Sequence, residues 1–440
     1  ELDYGTHLVN GLHMPWMWQY DVAAAGGGMR PMSDLMDGMM VIRGCNSTNP
    51  GHSASQRLHY LPLGAKYSLT SLAADISNAP IPALSLGASA YRFNSRHGIS
   101  PTILEYGGTE NVIVKLMKPF LKENLNKFQS DEEKVKQVLE TARRSLDDLA
   151  KTNLKFAESL DQSTQNSLKL LDGNFGNLNT QYNTISGKYR DICNRSFSRN
   201  RTLAGFTDKP IGTTGSRGIE YFYGKGKASS TDLREIIAAY TSMGVTASKM
   251  ALAEFALTND YVSSLSMSLL GLSNLNGAGN FGQYYDEHFA GCIPQHVIKL
   301  NYNMAMSGCL IELISKLKEK NMYKDTVIDY SGEFGRIPLE AGDGSDHSAE
   351  ATSYTIFSGA IEGSHVVGNI VKNAGGQPGT WGYQGFNETY GLLNVGHFAA
   401  SIAHLLGAES PVTAFPSIMK QLPNGKLVPN LPTGTIIKNK

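Results

Sequence analysis

Glu333, Arg336, Asp343, Asp346 and His347 all fall within Tyr330–Glu350, which reads YSGEFGRIPLEAGDGSDHSAE and begins at the last residue of the short run Val327-Ile328-Asp329-Tyr330. Hard carboxylate oxygens and a neutral imidazole are the donors that zinc, manganese or iron accepts. A strand that ends in a Gly-rich loop bearing such groups is where open α/β sheets place their ligands. Asp286 and His288, in the aromatic segment Phe281–Phe289, add a carboxylate and an imidazole. Earlier in the chain, Ser47, Thr48, His52 and Ser53 follow another short apolar run. A hydroxyl at a helix N-terminus is a candidate nucleophile for phosphoryl or sulfuryl transfer, because backbone amides there favour an anion.

Each piece also has an ordinary reading. Asp-x-His is a common surface turn, Asp346 can cap the backbone of the next turn, and Ser53 can be a plain helix N-cap. Arg336 can hold a substrate anion or lock Glu333 in a bidentate ion pair. What gives the pieces joint meaning is the long helix expected over Pro294–Lys320 between the two clusters. With a strand on either side, it reads as a parallel crossover, which places both clusters at one sheet edge.

The elements expected around this edge are read from period and punctuation. Gly38–Gly44 and Ile81–Leu86 read as buried strands, being short apolar runs bounded by glycine or turn residues. Ser53–Tyr60 reads as a helix opening, and Thr326–Tyr330, Thr355–Gly359 and His365–Ile370 as further strands. Lys118–Asp191 has the texture of charged helix: Ser130 and Glu133 have capping-box spacing, and Val135, Val138, Leu139, Ala142, Leu146 and Leu149 follow the helical period. Asn194–Ser230 reads as loop and Thr231–Leu270 as two helices. Leu392–Leu406 reads as a helix ended by Gly407, with coil after it. The expected organisation is an N-terminal part of an α/β core (1–117), a helical insertion (118–191) and the rest of the core with the site loops (192–440).

Composition narrows the function classes. Across 440 residues, 39 Lys plus Arg balance 39 Asp plus Glu, so no global field favours nucleic acid. No run approaches the roughly 20 apolar residues needed to cross a bilayer. Cys45, Cys193, Cys292 and Cys309 are scattered without C-x-x-C spacing and read as buried free thiols. There is no G-x-S-x-G elbow and no Walker A loop; Gly277, Gly279 and Gly282 match G-x-G-x-x-G in the wrong context for a dinucleotide turn. The chain starts at Glu1 without a charged-then-apolar leader, as expected of a processed exported chain or a trimmed one.

Asp325-Thr326-Val327-Ile328, Ser331-Gly332-Glu333-Phe334-Gly335-Arg336 and Asp346-His347 together resemble the signature of domain-of-unknown-function family 1501, exported bacterial proteins related to the alkaline phosphatase and sulfatase superfamily. The similarity extends to Val41-Ile42-Arg43 with the His52 loop, to Asp286-Glu287-His288, and to Ala400–Gly407. The resemblance implies a doubly wound, mostly parallel α/β core of alkaline phosphatase-like type, in the periplasm or at the cell surface. It implies a metal-dependent site for a small anionic phosphate or sulfate ester. Asp286, His288, Glu333, Asp346 and His347 would then hold zinc or manganese, with His52 or Ser53 facing the substrate and Arg336 positioning a ligand. Two departures stand against it: no first strand delivers an aspartate, and Glu333 stands where such relatives often carry aspartate. The alternative is a catalytically inactive envelope scaffold, assembling with itself or an envelope partner through the helical insertion.

Overall fold

Met39, Met40 and Ile42 are almost wholly shielded from solvent, as a continuous apolar run on a strand covered on both faces should be. The computed structural model describes residues 6–87, 93–104, 116, 175–203, 243–268, 292–338, 345–350, 352–368, 370–372, 381–383 and 393–431. Their strands are β1 (Thr6–Val9), β2 (Leu12–Pro15), β3 (Asp21–Ala23), β4 (Met29–Pro31), β5 (Met39–Cys45), β6 (Ile81–Leu86), β7 (Thr102–Leu104), β8 (Val262–Met267) and β9 (Ile328–Asp329). They continue with β10 (Gly335–Pro338), β11 (Ser345–Ser348), β12 (Thr352–Phe357), β13 (His365–Gly368), β14 (Ile370–Lys372), β15 (Trp381–Tyr383), β16 (Met419–Gln421) and β17 (Leu427–Pro429). The α-helices are α1 (His52–Tyr60), α2 (Leu69–Asp75), α3 (Phe175–Leu203), α4 (Gly244–Thr258), α5 (Cys292–Glu319) and α6 (Val395–Leu405).

The architecture is mixed α/β. One sheet, in the order β7-β6-β8, is parallel throughout. The other, in the order β13-β5-β12-β9, is mixed: β13 runs parallel to β5, while β12 is antiparallel to both β5 and β9. An antiparallel strand inside the second sheet departs from the expected mostly parallel arrangement. The crossover expected around α5 is also altered: β8 before the helix lies in the parallel sheet, and β9 after it pairs antiparallel with β12. The aromatic segment proposed as the strand before α5 lies outside the described residues.

Two buried clusters hold these layers. Tyr189 and Ile192 of α3, Phe255 of α4 and Leu310, Leu313 and Leu317 of α5 pack with Ile81, Leu84 and Leu86 of β6. Met40 and Ile42 of β5, Tyr354 and Ile356 of β12 and Val367 of β13 pack under Phe398, Ile402 and Ala403 of α6 and Leu69 and Leu72 of α2. Full burial of each Leu, Ile, Val, Phe or Met among them is worth about 1.5–3 kcal/mol. The start of α6 follows from its cap: Asn394 Oδ1 accepts the Gly396 N–H at 2.8 Å, and His397 Nδ1 accepts the Asn394 N–H at 3.3 Å. Its end follows from Gly407, which takes φ +63°.

Several expected boundaries move. Residues 194–203, read as loop, continue α3; this stretch has no proline or glycine to stop a helix, and Ile192 and Cys193 anchor the turn before it in the core. The second helix expected within Thr231–Leu270 ends at Thr258, because Asp260 turns left-handed at φ +56° and Val262–Met267 then joins β6 as a strand. The tail read as coil contains the β16–β17 hairpin, turned at Gly425 with φ +84°. Part of the loop expected over Tyr330–Glu350 is the β10–β11 hairpin, which sets Arg336 opposite His347. The predicted helical insertion lies outside the described residues up to 174.

Candidate functional site

The site is built where the loop leaving β5 meets the chain leaving β9. Asn46 Oδ1 accepts the Thr48 N–H at 2.6 Å and Asn49 Oδ1 accepts the Gly51 N–H at 2.8 Å, so successive Asx turns lead into α1. The Ser47 N–H donates to Ala349 O at 2.7 Å, which fastens this loop to the end of β11. Asn46 also bridges Asn394, the residue that caps α6.

One face of α1 carries His52, Ser55, Gln56 and His59, the i, i+3, i+4 and i+7 positions that line a single stripe. Each binds the segment after β9 or its last residue. His52 Nδ1 lies 2.5 Å from Glu333 Oε1, and Gln56 Nε2 donates to Glu333 Oε2 at 2.5 Å. Ser55 Oγ donates to the backbone carbonyl of Glu333. His59 Nε2 lies 2.6 Å from Asp329 Oδ2, and Ser331 Oγ donates to Asp329 Oδ1 at 2.5 Å.

Aromatic packing extends the cluster to the hairpin. The His52 and His347 rings meet edge to face with centroids 4.5 Å apart, and Phe334 lies 4.1 Å from His347 and 5.0 Å from His52. The Arg336 guanidinium sits over Phe334, 5.1 Å from its centroid. Beneath His59, Tyr354 and Phe398 close the apolar floor at 4.7 and 5.0 Å. Burial, then the neighbouring Cys45 and Asp329, pushes the Tyr354 phenol well up, so it stays neutral.

Of the residues singled out from sequence, His52, Glu333, Arg336 and His347 come together here. Ser53 is exposed in the first turn of α1, beside His52. Asp346 is exposed, opposite Ile337 in the hairpin, and its Oδ1 accepts the following His347 N–H at 2.8 Å. Asp286 and His288 lie outside the described residues. Among the described residues, no group of three or more His, Cys, Asp or Glu side chains is arranged to hold a metal ion. Glu333 gives one contact from each oxygen to α1, and the described residues do not by themselves assemble a zinc or manganese site.

Sequence reasoning passed over Ser55, Gln56, His59 and Asp329. The signal was present as a polar stripe at helical spacing on a short helix. A cavity of about 1170 Å³, lined in part by Gln56, His59, Asp329, Ser331 and Glu333, opens beside this stripe.

No helix of the described residues is long and apolar enough to cross a membrane. No curated protein and no solved structure matches the chain. Residues 281–414, which contain β9 to β15 and α6 with the Glu333, Arg336 and His347 side of the site, match the model of a family described as protein of unknown function (DUF1501), and that match supports the family expected from the motifs.

Proposed function

We propose that the protein is an exported alkaline phosphatase- or sulfatase-like hydrolase of phosphate or sulfate esters, with its reacting groups at the N-terminus of α1 and on the β10–β11 hairpin. The observation that carries this reading is the 2.5 Å approach of His52 Nδ1 to Glu333 Oε1, with His347 and Arg336 on the adjoining hairpin. A carboxylate that holds one imidazole nitrogen fixes the ring and leaves proton transfer to the other. Nε2 of His52 then takes a proton from the attacking hydroxyl or returns one to the leaving oxygen. Ser53, in the same helical turn, is the candidate attacking group, and the first-turn amides of α1 with Arg336 supply positive charge for the ester anion. A divalent ion, expected from the residue types and from the family resemblance, would need Asp286 and His288.

Turnover of p-nitrophenyl phosphate and p-nitrophenyl sulfate, with and without added zinc or manganese, tests the proposal. The expected result is release of nitrophenol that falls by about 10²–10⁴ in His52→Ala. No turnover above buffer under any of these conditions sinks it.

A second reading has its own support. His52, Ser55, Gln56 and His59 are all tied to 329–333, which is how a polar latch between a helix and a strand end would look in a catalytically silent envelope scaffold. In that case His52→Ala changes stability while the wild-type protein turns over neither ester.

A further inference from the structure

We infer that Cys193 of α3 and Cys309 of α5 are a redox pair that closes to an intramolecular disulfide, stapling the two helices. Their Sγ atoms lie 3.7 Å apart, and both residues are fully buried. No reading of sequence spacing joins them, since 116 positions separate them.

The approach of the two helices at this level is fixed from both sides. A Cβ added at Gly308 would sit 2.9 Å from Ile192 Cγ2 and 2.6 Å from Ala23 O, so the glycine lets α5 come against α3 next to the two sulfurs. About one turn away, Lys188 Nζ on α3 bonds Glu312 Oε1 on α5 at 2.7 Å, holding the same register. Closing the bond requires the sulfurs to approach to about 2.05 Å, a change on the scale of side-chain rotation in short residues.

Competing pairings are remote. Cys45 sits in the other core cluster, under β12 and α6. Cys292 and Cys309 are on one continuous helix, about 25 Å apart along its axis at ~1.5 Å per residue. The hydrogen bond that the Cys309 thiol shares with Cys193, and burial, push that thiol well up, so attack by its thiolate is slow in the closed protein. Oxidation therefore belongs to the opened or folding chain.

With oxidised glutathione as the oxidant, the balance is simple. One cysteine thiolate attacks a glutathione sulfur, giving a mixed disulfide and releasing one glutathione thiolate. The second cysteine thiolate then attacks the protein-bound sulfur, the Sγ–Sγ bond forms, and a second glutathione leaves. Two protein thiols are oxidised, one disulfide is reduced, and the two protons go to the glutathiones.

The test uses the full chain incubated with oxidised glutathione in urea below its unfolding midpoint, then fully denatured and labelled with N-ethylmaleimide. Two of the four cysteines are expected to escape labelling, a tryptic peptide pair joining Cys193 and Cys309 is expected to part on reduction, and the thermal midpoint should rise by about 5 °C. Cys309→Ser, treated identically, should leave Cys193 labelled. Labelling of all four cysteines in the wild-type chain, or a crosslink through Cys45 or Cys292 instead, overturns the inference. None of these readouts involves ester turnover, so this inference stands or falls apart from the proposed hydrolase.

Discussion

His59 Nε2 and Asp329 Oδ2 meet at 2.6 Å beneath the site, with the imidazole almost wholly buried against Tyr354 and Phe398. The pair links the last turn of α1 to the last residue of β9. Because Asp329 also accepts Ser331 Oγ, it sets the path of the chain toward Glu333. Asp329→Ala leaves a buried imidazole donor without its acceptor, at a cost of about 2–4 kcal/mol. Asp329→Asn keeps an acceptor and should cost less than half of that. Urea unfolding of the two variants beside wild type checks the ordering; equal losses would show that Asp329 acts by packing alone.

Glu333 presents both oxygens to α1, one to His52 and one to Gln56. If it orients His52 for proton transfer, Glu333→Gln lowers kcat by about 10²-fold while KM moves little, since an orienting group acts on the chemical step. Gln56→Ala removes the other hydrogen bond and should leave kcat within a few-fold of wild type. Steady-state kinetics on whichever aryl ester is turned over separates them. A loss in Gln56→Ala as large as in Glu333→Gln would assign Glu333 to holding the loop, not to the histidine.

Much of this arrangement could be read from the chain. The strand at Met39–Cys45, the helix opening beside His52 and the long helix before Thr326 follow from apolar period and glycine punctuation, which are local signals. The nearness of His52 to Glu333 and His347 came only through the family resemblance and the general placement of ligands at strand ends. What was illegible is non-local. The antiparallel entry of β12 between β5 and β9 depends on pairing partners, and a six-residue strand such as Thr352–Phe357 carries no mark of its direction. The segment Val262–Met267 became strand because β6 offers an edge, a tertiary preference that overrides the local helix reading. Ser55, Gln56 and His59 escaped attention because polar residues at helical spacing usually mark a solvated face, whereas here they face another part of the chain.

Lys188 sits between two nearly buried carboxylates, bonding Glu254 Oε1 and Oε2 and Glu312 Oε1, each at 2.7 Å. Tyr189 adds its hydroxyl to Glu254 Oε2 at 2.7 Å, and burial followed by the Glu254 charge pushes that phenol well up, keeping it a donor. Lys188→Met removes the cation and leaves two carboxylates facing each other in low dielectric, a loss of about 3–5 kcal/mol. Neutralising the carboxylates in the same chain, Lys188→Met with Glu254→Gln and Glu312→Gln, should restore most of it. Chemical denaturation of the single and triple variants decides; no recovery in the triple variant would show that packing of the lysine stem, not its charge, joins α3, α4 and α5.

Asp75, the last residue of α2, holds the loop at 93–97. Its Oδ1 accepts Ser95 Oγ at 2.5 Å and the His97 N–H at 3.4 Å, and its Oδ2 accepts the Arg96 N–H at 3.0 Å. Burial alone would raise this carboxyl, but the hydrogen bonds from Ser95, Arg96 and His97 outweigh it and bring it below its ordinary value of 3.8. A carboxylate depressed in the folded state contributes stability that is fully present above its unfolded value and is lost as pH falls through the folded one. Asp75→Asn should therefore be less stable than wild type at pH 7, and the gap should narrow once the pH drops below about 4. Urea midpoints for both proteins between pH 7 and pH 3 measure that gap. A gap that stays constant to pH 3 would mean the carboxylate's charge contributes nothing, and that the loop is held by contacts asparagine reproduces or lacks equally at every pH.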